Sequence, residues 1–228
     1  MRVGISVGSD DYNLIPVLES YRHYGILDYV ELYIQPDVKL FDLMEWNKAE
    51  SLIGYIHAPH GPYADFKPEY LDLAYSAYSV LKNSHGISEI VFDPGIKENK
   101  FFSTDSLMIP ENMPYMTTLG DKGVMVFPEQ MPKYFVFDFA HAWITATQTG
   151  RKPKELIKEF MALRPLHFHL TDVYGSKDHL PLGDGEIDLK FIKSVLLETA
   201  SITIETDNLL LHRDDIIESD LLRFNLYG

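Results

Sequence analysis

Eight short apolar runs spread along the chain, with amphipathic stretches between most of them, constrain the fold more than any other feature. The runs are Val3–Val7, Tyr29–Ile34, Ile53–His57, Ile87–Asp93, Leu107–Glu111, Tyr134–Asp138, Leu166–Thr171 and Ile202–Thr206. Short runs rich in β-branched and aromatic residues read as strands, and apolar residues at helical spacing between them read as helices. Helices are expected at Asn13–Tyr24, Lys39–Ser51, Pro68–Ser84, Pro153–Leu163, Leu189–Thr199 and Asp214–Leu222. Such alternation demands a parallel sheet, because parallel neighbours can be joined only by a long crossover. Two crossovers are thin: about a dozen residues separate the fourth and fifth runs, and Gly120–Lys133 offers a short helix at best. One or two outer helices are therefore expected to be thin or missing.

A chain of 228 residues fits one α/β domain spanning 1–228, and 46% hydrophobic content is enough for a large core. With 34 acidic against 20 basic residues, the formal charge of −14 repels phosphate backbones. The one basic stretch, Arg151-Lys152-Pro153-Lys154, sits at a helix start, so nucleic acid is a disfavoured partner. The absence of cysteine excludes disulfides, thiolate ligands and a cysteine nucleophile, leaving only N and O ligands for any metal. No apolar run is long enough for a signal peptide or a membrane span, so a cytoplasmic location is expected.

Eight strands can form an open doubly wound sheet or a closed (β/α)8 barrel. Gly8-Ser9-Asp10-Asp11 does not match the glycine fingerprint of a dinucleotide-binding sheet. The polar residues favour the barrel, where chemistry gathers at the carboxyl ends of the strands. Successive runs end in His57-Ala58-Pro59-His60, Asp93-Pro94-Gly95, Glu111-Asn112, Asp138-Phe139-Ala140-His141, His169-Leu170-Thr171-Asp172 and Glu205-Thr206. Parity adds to this: Tyr134, Val136 and Asp138 share a strand face, as do Leu107, Ile109 and Glu111, and as do Thr203 and Glu205. Acids converging on one interior need a cation or protons to offset their repulsion. Helix capping or core packing serves as well for His60, His167 and Asp172. It does not explain inward-facing Glu111 and Glu205 together with Asp138 and His169. His23, His85 and His212 are expected at the surface.

These residues resemble the superfamily that joins endonuclease IV (AP endonuclease family 2) with the xylose isomerase-like sugar isomerases and epimerases, which are TIM barrels. The most specific element is Phe168-His169-Leu170-Thr171-Asp172 followed by His179-Leu180-Pro181-Leu182-Gly183-Asp184-Gly185-Glu186-Ile187-Asp188. Ile56-His57-Ala58-Pro59, Glu111-Asn112-Met113-Pro114 and Asp138-Phe139-Ala140-His141 are similar to its other signatures. The resemblance implies that Glu111, Asp138, His169 and Glu205 are metal ligands, with Glu111 and Glu205 also the acid/base pair of the epimerase branch. It makes His57, His141 and His179 the further ligands of the three-zinc endonuclease branch. In two places the chain departs from that branch: Asp93 stands where it has a histidine, and Lys177-Asp178-His179 replaces its Asp-x-His, so that Asp178 can serve only with a shifted backbone.

Two chemistries follow as expectations. In the first, a sugar or sugar-phosphate isomerase or epimerase uses one Mn2+, Mg2+ or Co2+ ion, while Glu111 and Glu205 exchange protons on the two faces of the substrate. In the second, clustered Zn2+ ions serve a phosphodiesterase acting on abasic DNA, which the surplus histidines favour and the acidic charge opposes. A barrel that binds metal without catalysis is a third reading.

Overall fold

The structure is a computed structural model that describes residues 1–59, 68–94, 107–115, 125–206 and 214–226. Eight parallel strands form its wall: β1 (Arg2–Gly8), β2 (Tyr29–Tyr33), β3 (Ile53–His57), β4 (Glu89–Phe92), β5 (Met108–Pro110), β6 (Val136–Asp138), β7 (His167–Leu170) and β10 (Ser201–Ile204). They pair in the order β5-β4-β3-β2-β1-β10-β7-β6. A parallel bridge between Glu111 and Val136 joins the two outermost strands, so the sheet curls into a nearly closed barrel. Asn112 completes the seam. Its backbone N–H donates to Val136 O at 3.2 Å. Its side-chain amide donates to Asp138 O at 3.1 Å and accepts from Asp138 N at 2.6 Å, as a strand's own peptide group would.

Among the described residues seven α-helices flank the strands: α1 (Ile15–His23), α2 (Leu40–Trp46), α3 (Pro68–Leu81), α4 (Phe139–Gln148), α5 (Pro153–Met161), α6 (Leu189–Val195) and α7 (Asp214–Leu226). The outer faces of the strands supply most of the apolar core. Ile5, Val30, Leu32, Ile56, Ile202 and Ile204 are buried with Leu18, Trp46, Leu81, Leu156 and Ile192. Around β6 and β7 this layer is aromatic, with Phe137 stacked on Phe160 at 4.8 Å and Phe139 on Phe168 at 5.6 Å. Because Phe137 and Phe168 point outward, strand alternation turns Val136, Asp138, His167 and His169 into the barrel.

The interior is polar and aromatic rather than aliphatic. Tyr29 lies edge-on to Tyr55 at 4.9 Å, and Tyr55 lies against His167 at 4.0 Å. Gly4 is needed beside them, since a Cβ there would overlap the Tyr29 ring.

All eight expected strands are present, with ends shifted by one or two residues. Tyr134 lies outside β6 and is exposed, so it shares no buried face with Val136 and Asp138. Helix α1 is preceded by a 3-10 turn at Tyr12–Leu14. The described part of Gly120–Lys133 contains one 3-10 turn, Pro128–Gln130. The crossover between β4 and β5 falls largely outside the described residues. Two elements have no counterpart among the expected ones. Helix α4 begins after Asp138, whose carboxylate caps it. The antiparallel hairpin of β8 (Asp172–Tyr174) and β9 (Lys177–Leu180) turns at Gly175, where φ is +65°. His85, expected at the surface, is buried instead. Its Nδ1 accepts from Ile53 N at 3.2 Å and its Nε2 donates to Trp46 O at 3.1 Å, so the ring satisfies two backbone groups that water cannot reach. Among the described residues no helix is long and apolar enough to cross a membrane.

Candidate metal centre

Four strand ends bring Glu111, Asp138, His169 and Glu205 together. One ligand atom from each lies within 4.8 Å of the others. A first-row or alkaline-earth cation with bonds of about 2.0–2.5 Å needs its ligands roughly 3–5 Å apart, so the spacing fits. His169 Nδ1 lies 2.8 Å from Glu111 Oε2 and 3.1 Å from Glu205 Oε2. Asp138 divides its carboxylate: Oδ1 accepts from His141 N at 2.6 Å as the cap of α4, and Oδ2 faces the cluster. Asp138 Oδ2, Glu111 Oε1 and His169 Nδ1 are buried with no aligned hydrogen bond among the described residues. Buried polar atoms left in this condition are rare, and a cation would satisfy all three. Two overlapping groups share the same spacing, one of His57, Asp93 and Glu111 and the other of Glu31, His57, His169 and Glu205.

Three further histidines stand around the cluster in a common pose. His57 Nδ1 is 2.8 Å from Ala58 O, His141 Nδ1 is 2.8 Å from Asn112 O, and His179 Nδ1 is 2.9 Å from Glu205 O. A carbonyl can only accept, so each Nδ1 carries the proton; in His141 that same Nδ1 also lies 3.0 Å from Glu111 Oε1. His57 Nε2 lies 3.5 Å from Glu111 and 3.7 Å from Asp93. His141 Nε2 and His179 Nε2 each lie 3.9 Å from Asp178. Among the described residues, Asp178, His141 and His179 belong to none of the ligand-spaced groups, and Asp178 and His179 line the more open rim.

The acids and imidazoles set each other's protonation. Burial opposes charge on Glu111, but His169, His141 and His57 hold its carboxyl well below the usual carboxylate range. Asp138 goes the other way: burial, aided by Glu111 and Glu205 and only partly countered by His141, pushes it up to about 7. Burial disfavours the charged forms of His57 and His169, yet facing carboxylates win. Glu111 and Asp93 raise His57 to about 10, and Glu205, Glu31 and Glu111 lift His169 well above the ordinary histidine value. Protons thus occupy the place that a dication would take.

Other expected residues have structural partners. His167 sits between Glu31 Oε2 at 3.2 Å and Glu89 Oε2 at 3.4 Å, below the cluster and against Tyr55. Asp172 spends both oxygens on backbone: Oδ1 accepts from Val173 N and Ile187 N at 2.8 and 3.0 Å, and Oδ2 from Gly183 N at 2.8 Å. The Gly183-Asp184-Gly185 turn therefore wraps this carboxylate, and a Cβ at Gly185 would overlap it. His60 and His212 lie outside the described residues. Among the ligand-spaced groups of the described residues, one acid is absent from the sequence-based set: Glu31, fully enclosed on β2 beneath His169. Its signal was a lone charge inside the apolar run Tyr29–Tyr33 with inward parity, rather than at a strand end.

No protein-family model matches the chain, and no curated protein does. Solved structures do match. One is described as the probable 3-DHS dehydratase AsbF involved in petrobactin synthesis from Bacillus anthracis. It is 12% identical, with a TM-score of 0.55, and the match covers 99% of each chain. At that identity the likeness is one of fold, and with the strand order above it makes the chain a (β/α)8 barrel.

Proposed function

We propose that the chain is a divalent-metal enzyme acting on a small hydroxylated carbonyl compound, a sugar or sugar phosphate, as an isomerase or epimerase. The supporting observation is the convergence of Glu111, Asp138, His169 and Glu205 within 4.8 Å, with three of their buried atoms lacking an aligned hydrogen bond among the described residues. Those four residues would hold the ion; when bound, it supplies Lewis-acid polarisation of a carbonyl. An oxygen-rich set with one imidazole suits Mn2+, Mg2+ or Co2+. Glu205, 12% exposed against 2% for Glu111, is the carboxylate a substrate at the mouth reaches first, and it is the base that removes a proton beside the carbonyl. Glu111, on the wall side, is the second carboxylate of the proton exchange, with the protonated His141 Nδ1, 3.0 Å from its Oε1, as the neighbouring proton source. The rim residues His141, Asp178 and His179 offer donors and acceptors for hydroxyl groups.

Glu205→Gln removes the base without changing volume. Turnover should fall by about 10²–10⁴-fold with the fold retained. The assay is solvent deuterium exchange into ketoses and their phosphates, with the substrate of the AsbF dehydratase included and followed for loss of water. Full activity in the variant removes Glu205 from the mechanism.

A second reading, a Zn2+-dependent phosphodiesterase, draws on the group formed by His57, Asp93 and Glu111, which shares Glu111 with the first and could hold a second ion. Metal analysis separates the two: one ion per chain favours the isomerase, and two or more together with cleavage of abasic DNA favour the phosphodiesterase.

A further inference from the structure

Of the four histidines at the cluster, His169 alone meets no backbone carbonyl with either ring nitrogen among the described residues. The reason is its place in the fold. His57 ends β3, His141 lies in the first turn of α4 and His179 in the hairpin, where in each case a nearby carbonyl receives Nδ1–H. His169 lies inside β7, flanked by Asp138 of β6 and Thr203 of β10, so the neighbouring carbonyls are engaged in the parallel ladder. Both ring nitrogens instead meet side chains. Nδ1 faces Glu111 and Glu205, and Nε2 lies 3.0 Å from Glu31 Oε1.

Glu31 is itself held from below. Thr203 Oγ1 donates to its Oε2 at 2.7 Å, and His167 Nε2 lies 3.2 Å from the same oxygen. Tyr29 OH lies 3.1 Å from Thr203 Oγ1. With Oε2 engaged, Oε1 is left for His169: Oε1 and His169 Nε2 lie 3.0 Å apart without an aligned hydrogen bond, and neither has another hydrogen-bond partner among the described residues.

We propose that Glu31 is the positioning residue of the metal centre: it holds the Nε2 proton of His169 and thereby presents Nδ1, free of a proton, to the ion. This rests on the metal-centre reading above. A ligating imidazole commonly gives its second N–H to a carboxylate, which fixes the tautomer and strengthens the ligand. Here the carboxylate comes from β2, across the barrel interior, and Thr203 and His167 fix its orientation. Glu31 touches no substrate in this arrangement and acts only through His169.

The test uses the full chain with Zn2+ as a diamagnetic probe. In 15N-histidine-labelled, Zn2+-loaded protein, long-range 1H–15N spectra should show His169 protonated at Nε2 and bare at Nδ1. Nδ1 protonated with Nε2 bound would make Glu31 a ligand and overturn the proposal without any variant. Glu31→Gln keeps an acceptor but not the charge, and Glu31→Leu keeps neither. Zn2+ affinity, measured against a chromophoric chelator, should fall modestly in the first and about 10–100-fold in the second. Equal affinities in folded variants would overturn the proposal while leaving the metal centre intact. Wild-type protein that takes up no Zn2+ would overturn both.

Discussion

Asp138 and Asp172 are both fully buried and stand at the carboxyl ends of neighbouring strands of the barrel, one ending β6 and the other starting the hairpin after β7. Asp172 gives every contact to the backbone: three N–H groups converge on its two oxygens. Asp138 gives one oxygen to the cap of α4 and keeps the other bare toward Glu111, His169 and Glu205. Burial is the same in the two cases, so burial does not mark the functional acid. What separates them is whether the chain has already satisfied the carboxylate. Asp172 is a fastener for the Gly183–Gly185 turn, whereas Asp138 fastens α4 with one oxygen and keeps the other available for an ion.

The comparison predicts opposite failures. Asp172→Ala leaves two buried N–H groups and one part-buried one without acceptors; at about 1–3 kcal/mol for each buried group, stability should drop on the order of 3 kcal/mol or more in urea unfolding. Asp138→Asn retains an oxygen for the α4 cap, so the metal-free protein should unfold within about 1 kcal/mol of wild type. Its metal affinity should drop by more than about 100-fold, beyond the range for a residue that only supports a ligand. Asp172→Ala protein that is stable, or Asp138→Asn protein that binds metal normally, would erase the distinction.

Proton competition sharpens it further. The carboxylates around His169 keep its proton on to well above the ordinary histidine range, and Asp138 holds its own up to about 7. An ion can bind only as these protons leave, so affinity rises with pH and falls as pH is lowered. The expected slope is about tenfold per pH unit for each proton released, with the dependence steepening below pH 7 as Asp138 adds its own. Calorimetry in buffers of different ionisation enthalpy counts the protons, and a pH-independent affinity would contradict this picture.

Asp220 supplies the smallest effect and an intermediate case. Leu182 N donates to it at 2.9 Å and Thr206 Oγ1 also donates, yet burial still pushes it up to about 6. The folded state therefore holds this proton more tightly than the unfolded chain does. Its contribution is fully present below about pH 4 and is lost as pH rises through about 6. Asp220→Asn should be more stable than wild type by about 1 kcal/mol at pH 8 and no more stable at pH 4. Thermal melts at the two pH values decide it.

Much of this molecule can be read from its residues, and the exceptions share a cause. The eight strands announce themselves because each is a buried apolar run, a signal that survives any detail of packing. The acids of the cluster are visible because strand parity places Glu111, Asp138 and Glu205 on inward faces. Asp172 and Glu31 were harder in opposite ways. Asp172 has the position of a ligand, and only the three-dimensional course of the Gly183–Gly185 turn reveals its role. Glu31 sits mid-strand, where its purpose depends on His169 and Thr203, far away in sequence. Helix α4 stayed hidden because Asp138-Phe139-Ala140-His141 draws attention as a ligand motif while also being a helix start.

The seam between β5 and β6 gives the cluster a mechanical character. Every other pair of wall strands is laced by a run of peptide ladder, but this one is closed by a single bridge and the amide of Asn112. A side-chain amide can swing away by one torsional step without melting a strand. Asp138, His169 and Glu205 ride on the contiguous staves β6, β7 and β10, whereas Glu111 stands on the far side of the join. An ion gripped by all four would act as a rivet across the weakest joint of the wall. Occupancy should then be felt as stiffness: slower amide hydrogen exchange at Glu111, Asn112 and Asp138, with the rest of the hoop unchanged.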